Sequence, residues 1–256
     1  MKLESHLRSQ RDAGRKLLVP YVTGGLGDDW LEVVRALAAA GADAIEVGIP
    51  FSDPVMDGPV IQEASERALR AGTTPGGIMR ALSAVDAGVP LAVMTYYNLV
   101  FRAGHERFAS SLAAAGIAGC ILPDLPLDEA AEWCAAADDA GVETVMLAAP
   151  TTPDDRLAAI CERSRGFVYA VGLLGVTGER SSVAASATVM AKRLKAVTDR
   201  PVLVGVGVSN AQQARELAEE ADGVVVGSAL VRRLLEGAGP EGAAAFVAEL
   251  RAGLDG

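Results

Sequence analysis

The sequence predicts an α/β fold in which eight parallel strands alternate with helices and close into a barrel, and three observations lead there. One phrase recurs: an Ala-rich helix end, a turn, then a short β-rich run. It stands at 38–48 (AAAGADAIEVG), 84–96 (AVDAGVPLAVMTY), 113–124 (AAAGIAGCILPD) and 137–149 (ADDAGVETVMLAA), with weaker copies at 161–172, 195–207 and 217–228. Within it, Gly88, Gly116, Gly141 and Gly166 follow one another at intervals of 28, 25 and 25 residues, where glycine supplies the left-handed turn that ends a helix. Finally, the opening run at 17–23 brings the strand candidates to eight in 256 residues, the arithmetic of a TIM (β/α)8 barrel. An open doubly wound sheet has about five to seven strands and often a GxGxxG after the first. Here the first strand leads into Gly24-Gly25-Leu26-Gly27, which does not fit.

In chain order, an extra helix at 2–13 precedes the first strand at 17–23. A helical pattern at 30–40 leads to the second strand at 43–49. An additional helical stretch near 74–85 precedes the third strand at 90–96. Helix 106–115, strand 118–123, helix 128–140 and strand 142–148 follow. Thr152-Pro153 offers an N-cap signal for a helix at 154–163, ahead of a strand at 166–171. A strand at 201–206 is followed by helix 211–219, with an N-cap signal at Ser209-Asn210, and by the last strand at 222–226. No composition break or Ser/Pro-rich linker divides the chain, so one barrel domain over 1–256 is expected.

Half of the residues are apolar but 4% are aromatic, so the core must be built from Ala, Val, Leu and Ile, as parallel sheets packed on helices are. A net charge of -10 without a long basic tract argues against a nucleic-acid partner. It leaves room for a small anionic substrate, because backbone N–H groups hold phosphate without lysine. No stretch has the apolar length of a signal peptide or membrane span, and Cys120, Cys134 and Cys161 lack metal-ligand spacing. A cytoplasmic protein that meets neither membrane nor nucleic acid is expected.

A barrel carries its active site at the C-terminal ends of its strands. In the second strand, period-two alternation turns Ile45, Val47 and Ile49 toward helices and Ala44, Glu46 and Gly48 into the barrel. A carboxylate between two small neighbours is costly to bury; the plain alternative is a Glu46 tied into an internal hydrogen-bond network. The next segment, PFSDPVMDGP at 50–59, is a loop stiffened by proline, in which Asp53 and Asp57 serve either as turn formers or as acids of the site. Glycines late in the chain suit a phosphate cradle: Gly175 and Gly178 after strand six, Gly205 and Gly207 at strand seven, Gly227-Ser228 opening a helix after strand eight. Tyr21, Met94, Tyr96, Ile121, Leu147 and Tyr169 fall at strand ends, as pocket lining or as ordinary core.

The run IEVGIPFSDPVMDGP at 45–59 resembles the signature of tryptophan synthase alpha chains. The likeness extends over essentially the whole chain, through PYVT at 20–23, YYNLVF at 96–101, PDLP at 123–126, GVTG at 175–178, GVG at 205–207 and GS at 227–228. The resemblance implies a lyase of L-tryptophan biosynthesis that splits indole-3-glycerol phosphate by retro-aldol cleavage into indole and glyceraldehyde 3-phosphate, with no cofactor in this chain. It implies a beta-chain partner carrying pyridoxal phosphate, in an alpha2beta2 heterotetramer. Residue by residue, Glu46 matches the general acid–base group and Asp57 the acid facing the indole nitrogen. Gly178, Gly207, Gly227 and Ser228 match phosphate positions, Tyr21, Tyr96 and Tyr169 the indole lining, and Asp124 and Thr177 the coupling of loop closure to the site. Val60 departs from the family's frequent Thr, and Leu173-Leu174 from a more polar pair.

Two barrels of the same pathway compete with this reading. An indole-glycerol-phosphate synthase should place lysines at inward strand positions, and none lies at the C-terminal end of a strand here. A phosphoribosylanthranilate isomerase uses a Cys–Asp pair from strands one and five, where this chain offers no Cys. A silent regulatory subunit would not need both Glu46 and Asp57.

Overall fold

The computed structural model describes residues 1–172, 180–205 and 207–256, with 180–185 described as helix backbone. The order is α1 (Leu3–Asp12), β1 (Leu17–Thr23), α2 (Trp30–Ala39), β2 (Ile45–Gly48), α3 (Pro59–Arg70), α4 (Pro75–Leu82), β3 (Leu91–Met94), α5 (Tyr97–Ala103), α6 (His105–Ala114), β4 (Gly119–Ile121), α7 (Ala131–Ala140), β5 (Glu143–Ala148), α8 (Asp154–Arg163), β6 (Val168–Ala170), α9 (Arg180–Lys195), β7 (Val202–Val204), α10 (Ala211–Ala218), β8 (Gly223–Val226), α11 (Ser228–Leu235) and α12 (Gly239–Asp255). The strands pair in sequence order, all parallel, and β8 closes on β1 through Leu17 opposite Gly223. This is the eight-stranded TIM barrel that the repeat predicts. Among the described residues no helix is long and apolar enough to cross a membrane.

Local details differ from the sequence reading for identifiable reasons. Helix α3 begins at Pro59, inside the segment expected as loop, because proline is well placed in the first turn of a helix. Helix α5 is seven residues long and ends at Gly104, whose φ is 86°; it is too short to show a helical period. The helix expected at 128–140 splits into a 3-10 turn at Leu127–Glu129 and α7. Asn210 caps α10 by accepting from the Gln213 N–H at 2.9 Å. Thr152 does not cap α8: its hydroxyl accepts the Ala149 N–H at 3.1 Å, and Pro153 takes the cap position.

Period two divides the core. Ile45, Val47 and Ile49 join the large apolar layer between sheet and helices. Ala44 joins the interior, with Leu17, Val19, Ala92, Phe167 and Leu203. Helix α1 closes the interior at the N-terminal ends of the strands, its Leu3 and Leu7 fully buried. The barrel makes room with glycine: a Cβ at Gly119 or Gly166 would stand 2.8 Å from Leu3 Cδ2. Polar ties fix the plug. Glu143 accepts the Glu4 N–H at 2.9 Å, and Arg200 donates to the Glu4 carboxylate at 2.6 Å.

Shortening the plug should be costly because neither glycine can fill the space. Leu3→Ala should destabilise the fold by about 2–5 kcal/mol, read as a lower urea midpoint at unchanged slope. A change below about 1 kcal/mol would mean that α1 is not part of the cooperative core.

Candidate active site

The mouth of the barrel is built from β1, β2 and β3 side by side, where Tyr21 pairs with Glu46 and Glu46 with Ala92. Alternation turns Glu46 inward, where it is 1% exposed. Among the described residues its Oε2 has no hydrogen-bond partner, so the internal network posed as the alternative does not engage that oxygen. Burial, and then the charge of Asp57, push the carboxyl up to about 8. It is therefore a neutral acid at pH 7.

Two tyrosines lie across glycines at the same level. A Cβ at Gly48 would fall 1.9 Å from the Tyr21 hydroxyl, and one at Gly205 would fall 2.1 Å from the Tyr169 ring. Both rings are buried, and burial above all holds both phenols well above their ordinary range; Glu46 and Asp57 add to the rise, while the Thr23 side chain opposes it at Tyr21. Each remains a neutral hydroxyl. Met94 and Leu147 are half-buried beside the interior cluster, whereas Ile121 is fully buried core.

Asp57 reaches the mouth from the β2–α3 loop. The Tyr96 hydroxyl donates to Asp57 Oδ2 at 3.1 Å and accepts the Met56 N–H at 2.9 Å. The Asp57 N–H closes a turn onto Pro54 O at 3.0 Å. The Tyr96 ring stacks on Phe51 at 5.1 Å. Burial raises the Asp57 pKa and the Tyr96 bond opposes the rise. Phe51 was not singled out from sequence, although an aromatic residue just past a strand end carried the same signal as Tyr96. Asp53 stays in the exposed loop, accepting from Ser52.

Of the cradle candidates, Gly227 and Ser228 form the N-terminus of α11 beside Tyr21. Gly207 adopts φ +65°, and a Cβ there would meet nothing within 4 Å among the described residues. Thr177 and Gly178, with Leu173, Leu174, Gly175 and Val206, lie outside the described residues. On α9, Arg193 pairs with Asp154 and Lys192 with Glu220. Asp124 accepts the Tyr97 N–H at 2.9 and 3.1 Å.

Residues 7–252 match the family described as tryptophan synthase alpha chain. The chain belongs to that family. The tryptophan synthase alpha chain of Streptomyces coelicolor is 48% identical, over 99% of this chain and 97% of its own length. That of Thermobifida fusca is 47% identical, over 98% and 97%. A ligand-free mutant form of tryptophan synthase from M. tuberculosis matches with a TM-score of 0.89 at 43% identity, covering 98% of each chain. The alpha subunit from Legionella pneumophila matches at 0.88 and 30%, covering 100% and 99%. As a tryptophan synthase alpha chain, the protein is a lyase of indole-3-glycerol phosphate that serves tryptophan biosynthesis. Within this alpha chain Val60, the departure from Thr, is buried in an apolar cluster with Tyr21, Ile61, Ala64 and Val231.

The raised pKa of Glu46 has a stability consequence of fixed sign. Unfolded, the group titrates near 4.5, and folded near 8, so the folded state holds the extra proton. The stability it permits is whole below the lower value and is lost as pH rises through the upper one. Urea midpoints of the unaltered chain should therefore decline from about pH 5 to about pH 8 relative to Glu46→Gln, which has no proton to lose. A difference between the two proteins that stays constant across that range would show an ordinary carboxyl.

Proposed function

We propose that Glu46 is the acid–base group of indole-3-glycerol phosphate cleavage and Asp57 the anion that faces the indole nitrogen. The observation that carries this reading is a buried carboxyl with an unanswered oxygen at the barrel mouth, beside a second acid on a different element. Glu46 begins protonated and delivers its proton to indole C3. Positive charge then develops on the ring nitrogen, where Asp57, as a carboxylate, accepts the N–H hydrogen bond. The Glu46 carboxylate takes the proton from the glycerol hydroxyl next to C3. The bond between that carbon and C3 breaks, its electrons return to the ring, and the hydroxyl carbon becomes the aldehyde. Indole and glyceraldehyde 3-phosphate leave, and Glu46 is protonated again. Tyr21, Tyr96 and Tyr169 line the indole. Backbone N–H groups near Gly178, Gly207, Gly227 and Ser228 hold the phosphate, at a helix end that favours negative charge.

The same reading includes a cytoplasmic alpha2beta2 assembly whose beta chain carries pyridoxal phosphate and takes up the indole. Exposed apolar side chains support a partner at the mouth: Val55 is 81% exposed, Phe101 66% and Met56 48%. Val55 and Met56 ride on the loop that carries Asp57, so a partner that covers them acts on that acid's position.

Glu46→Gln should stay folded and lose at least about 10²–10⁴-fold in kcat. Asp57→Asn should lose heavily in kcat while glycerol phosphate still inhibits it at unaltered concentrations. Near-normal turnover of a folded Glu46→Gln would end the assignment, and loss of glycerol phosphate binding with catalysis spared would reverse the role of Asp57. Titrating a purified beta chain should raise cleavage by about tenfold or more, through a shift toward the closed loop. A flat response at saturating substrate would mark a free-standing lyase.

A further inference from the structure

The Tyr96 hydroxyl bonds both the Met56 N–H and the Asp57 carboxylate of the loop that carries Asp57, so the placement of Tyr96 bears directly on that of the Asp57 side chain. Tyr96 is the extended N-cap residue of α5, with φ -83° and ψ 143°. A helix of seven residues does not hold its own place, and this one is held at Tyr97. The Tyr97 backbone N–H is gripped by both Asp124 oxygens, from the loop after β4. Its hydroxyl lies 3.0 Å from His105 Nε2, at the first residue of α6. The two rings stack at 5.7 Å with an interplanar angle of 19°, and Phe101 borders both. On its other side His105 Nδ1 is 3.6 Å from Glu132 Oε2 of α7. Tyr97 is thus clamped at its backbone by one loop and at its ring by the next helix, and its neighbour in sequence holds the acid.

We propose that Tyr97 and His105 are positioning residues for the reaction: together they brace the start of α5, so that the Tyr96 hydroxyl meets Asp57 in register. The inference rests on the assignment of Asp57 given above. Neither Tyr97 nor His105 is among the residues assigned to the substrate. Loss of the brace therefore shifts an acid that acts in the transition state and leaves the phosphate grip alone, which lowers kcat and spares KM.

The test is a double-mutant cycle in the cleavage assay. Tyr97→Phe and His105→Leu should each lower kcat by about three- to tenfold, the size of one neutral hydrogen bond, with KM nearly constant. His105→Gln, which keeps a polar group near the Nε2 position, should recover most of the rate. In a Tyr96→Phe background, Tyr97→Phe should have no further effect, because the hydroxyl through which it works is gone. Equal losses with and without the Tyr96 hydroxyl, or a change confined to KM, would overturn the brace. Asp57→Asn measured alone separates the two claims. Full activity there defeats the assignment of Asp57, whereas an inactive Asp57→Asn with an additive cycle defeats the brace alone.

Discussion

A carboxyl group inside a closed ring of strands has one way out, and at Glu46 that way is the barrel mouth. Leaving a buried polar atom unpartnered costs about 1–3 kcal/mol, a sizeable share of the roughly 5–15 kcal/mol that separates folded from unfolded chains. The cost is tolerated because the rest of the barrel is packed in the ordinary way. The outward residues of β2 are buried against helices, and the far end is sealed by Leu3 and Leu7. Polar defect and apolar seal sit at opposite ends of one interior. That separation keeps the mouth free to hold a group that binds a proton at neutral pH.

The two acids of the mouth are mounted differently, and the difference suits different work. Glu46 lies in the middle of a sheet, paired in register on both sides, so its place is as fixed as the barrel. Asp57 lies on a loop whose stiffness comes from Pro54, Pro59 and the turn onto Pro54 O, and whose link to the barrel wall is Tyr96. A group that moves protons at one carbon gains from rigidity. In the proposed roles, the group that answers charge on the ring nitrogen is the one carried by a loop and held by a side-chain hydrogen bond. The exposed Val55 and Met56 on that loop put its position within reach of another protein chain.

Much of this was legible in the sequence because it rests on period and spacing. The recurring phrase gave seven strands and the opening run at 17–23 the eighth, and alternation in DAIEVGI placed Glu46 inward and Ile45, Val47 and Ile49 outward, as found. What escaped depends on contacts between distant residues. Phe51 against Tyr96 and Tyr97 against His105 are meetings of loops and helices that no local pattern encodes. Helix α5 is too short to announce itself, and Thr152 bonds backward to Ala149, where a cap would have bonded forward. Gly48 and Gly205 are similar: their reason is a tyrosine ring from another strand, invisible until the barrel is closed.

The charge of the molecule bears on how such a mouth binds an anion. For a chain of net charge -10 that takes a phosphorylated substrate, the simplest anion holder is a lysine at the phosphate. Yet a cation close to Glu46 would favour its carboxylate and draw its pKa back toward the ordinary range, removing the proton that the proposed first step delivers. Burial and Asp57 both push the Glu46 pKa upward, and no cation among the described residues opposes them. Backbone N–H groups at the start of α11 avoid the conflict. Their partial charge is local and falls away within the first turn, so in the proposed site they would hold an anion at one end of the mouth without discharging the acid at the other. On this argument the glycines of the cradle and the raised pKa of Glu46 are two sides of one electrostatic arrangement, and a lysine placed in the cradle would strengthen binding at the expense of the proton.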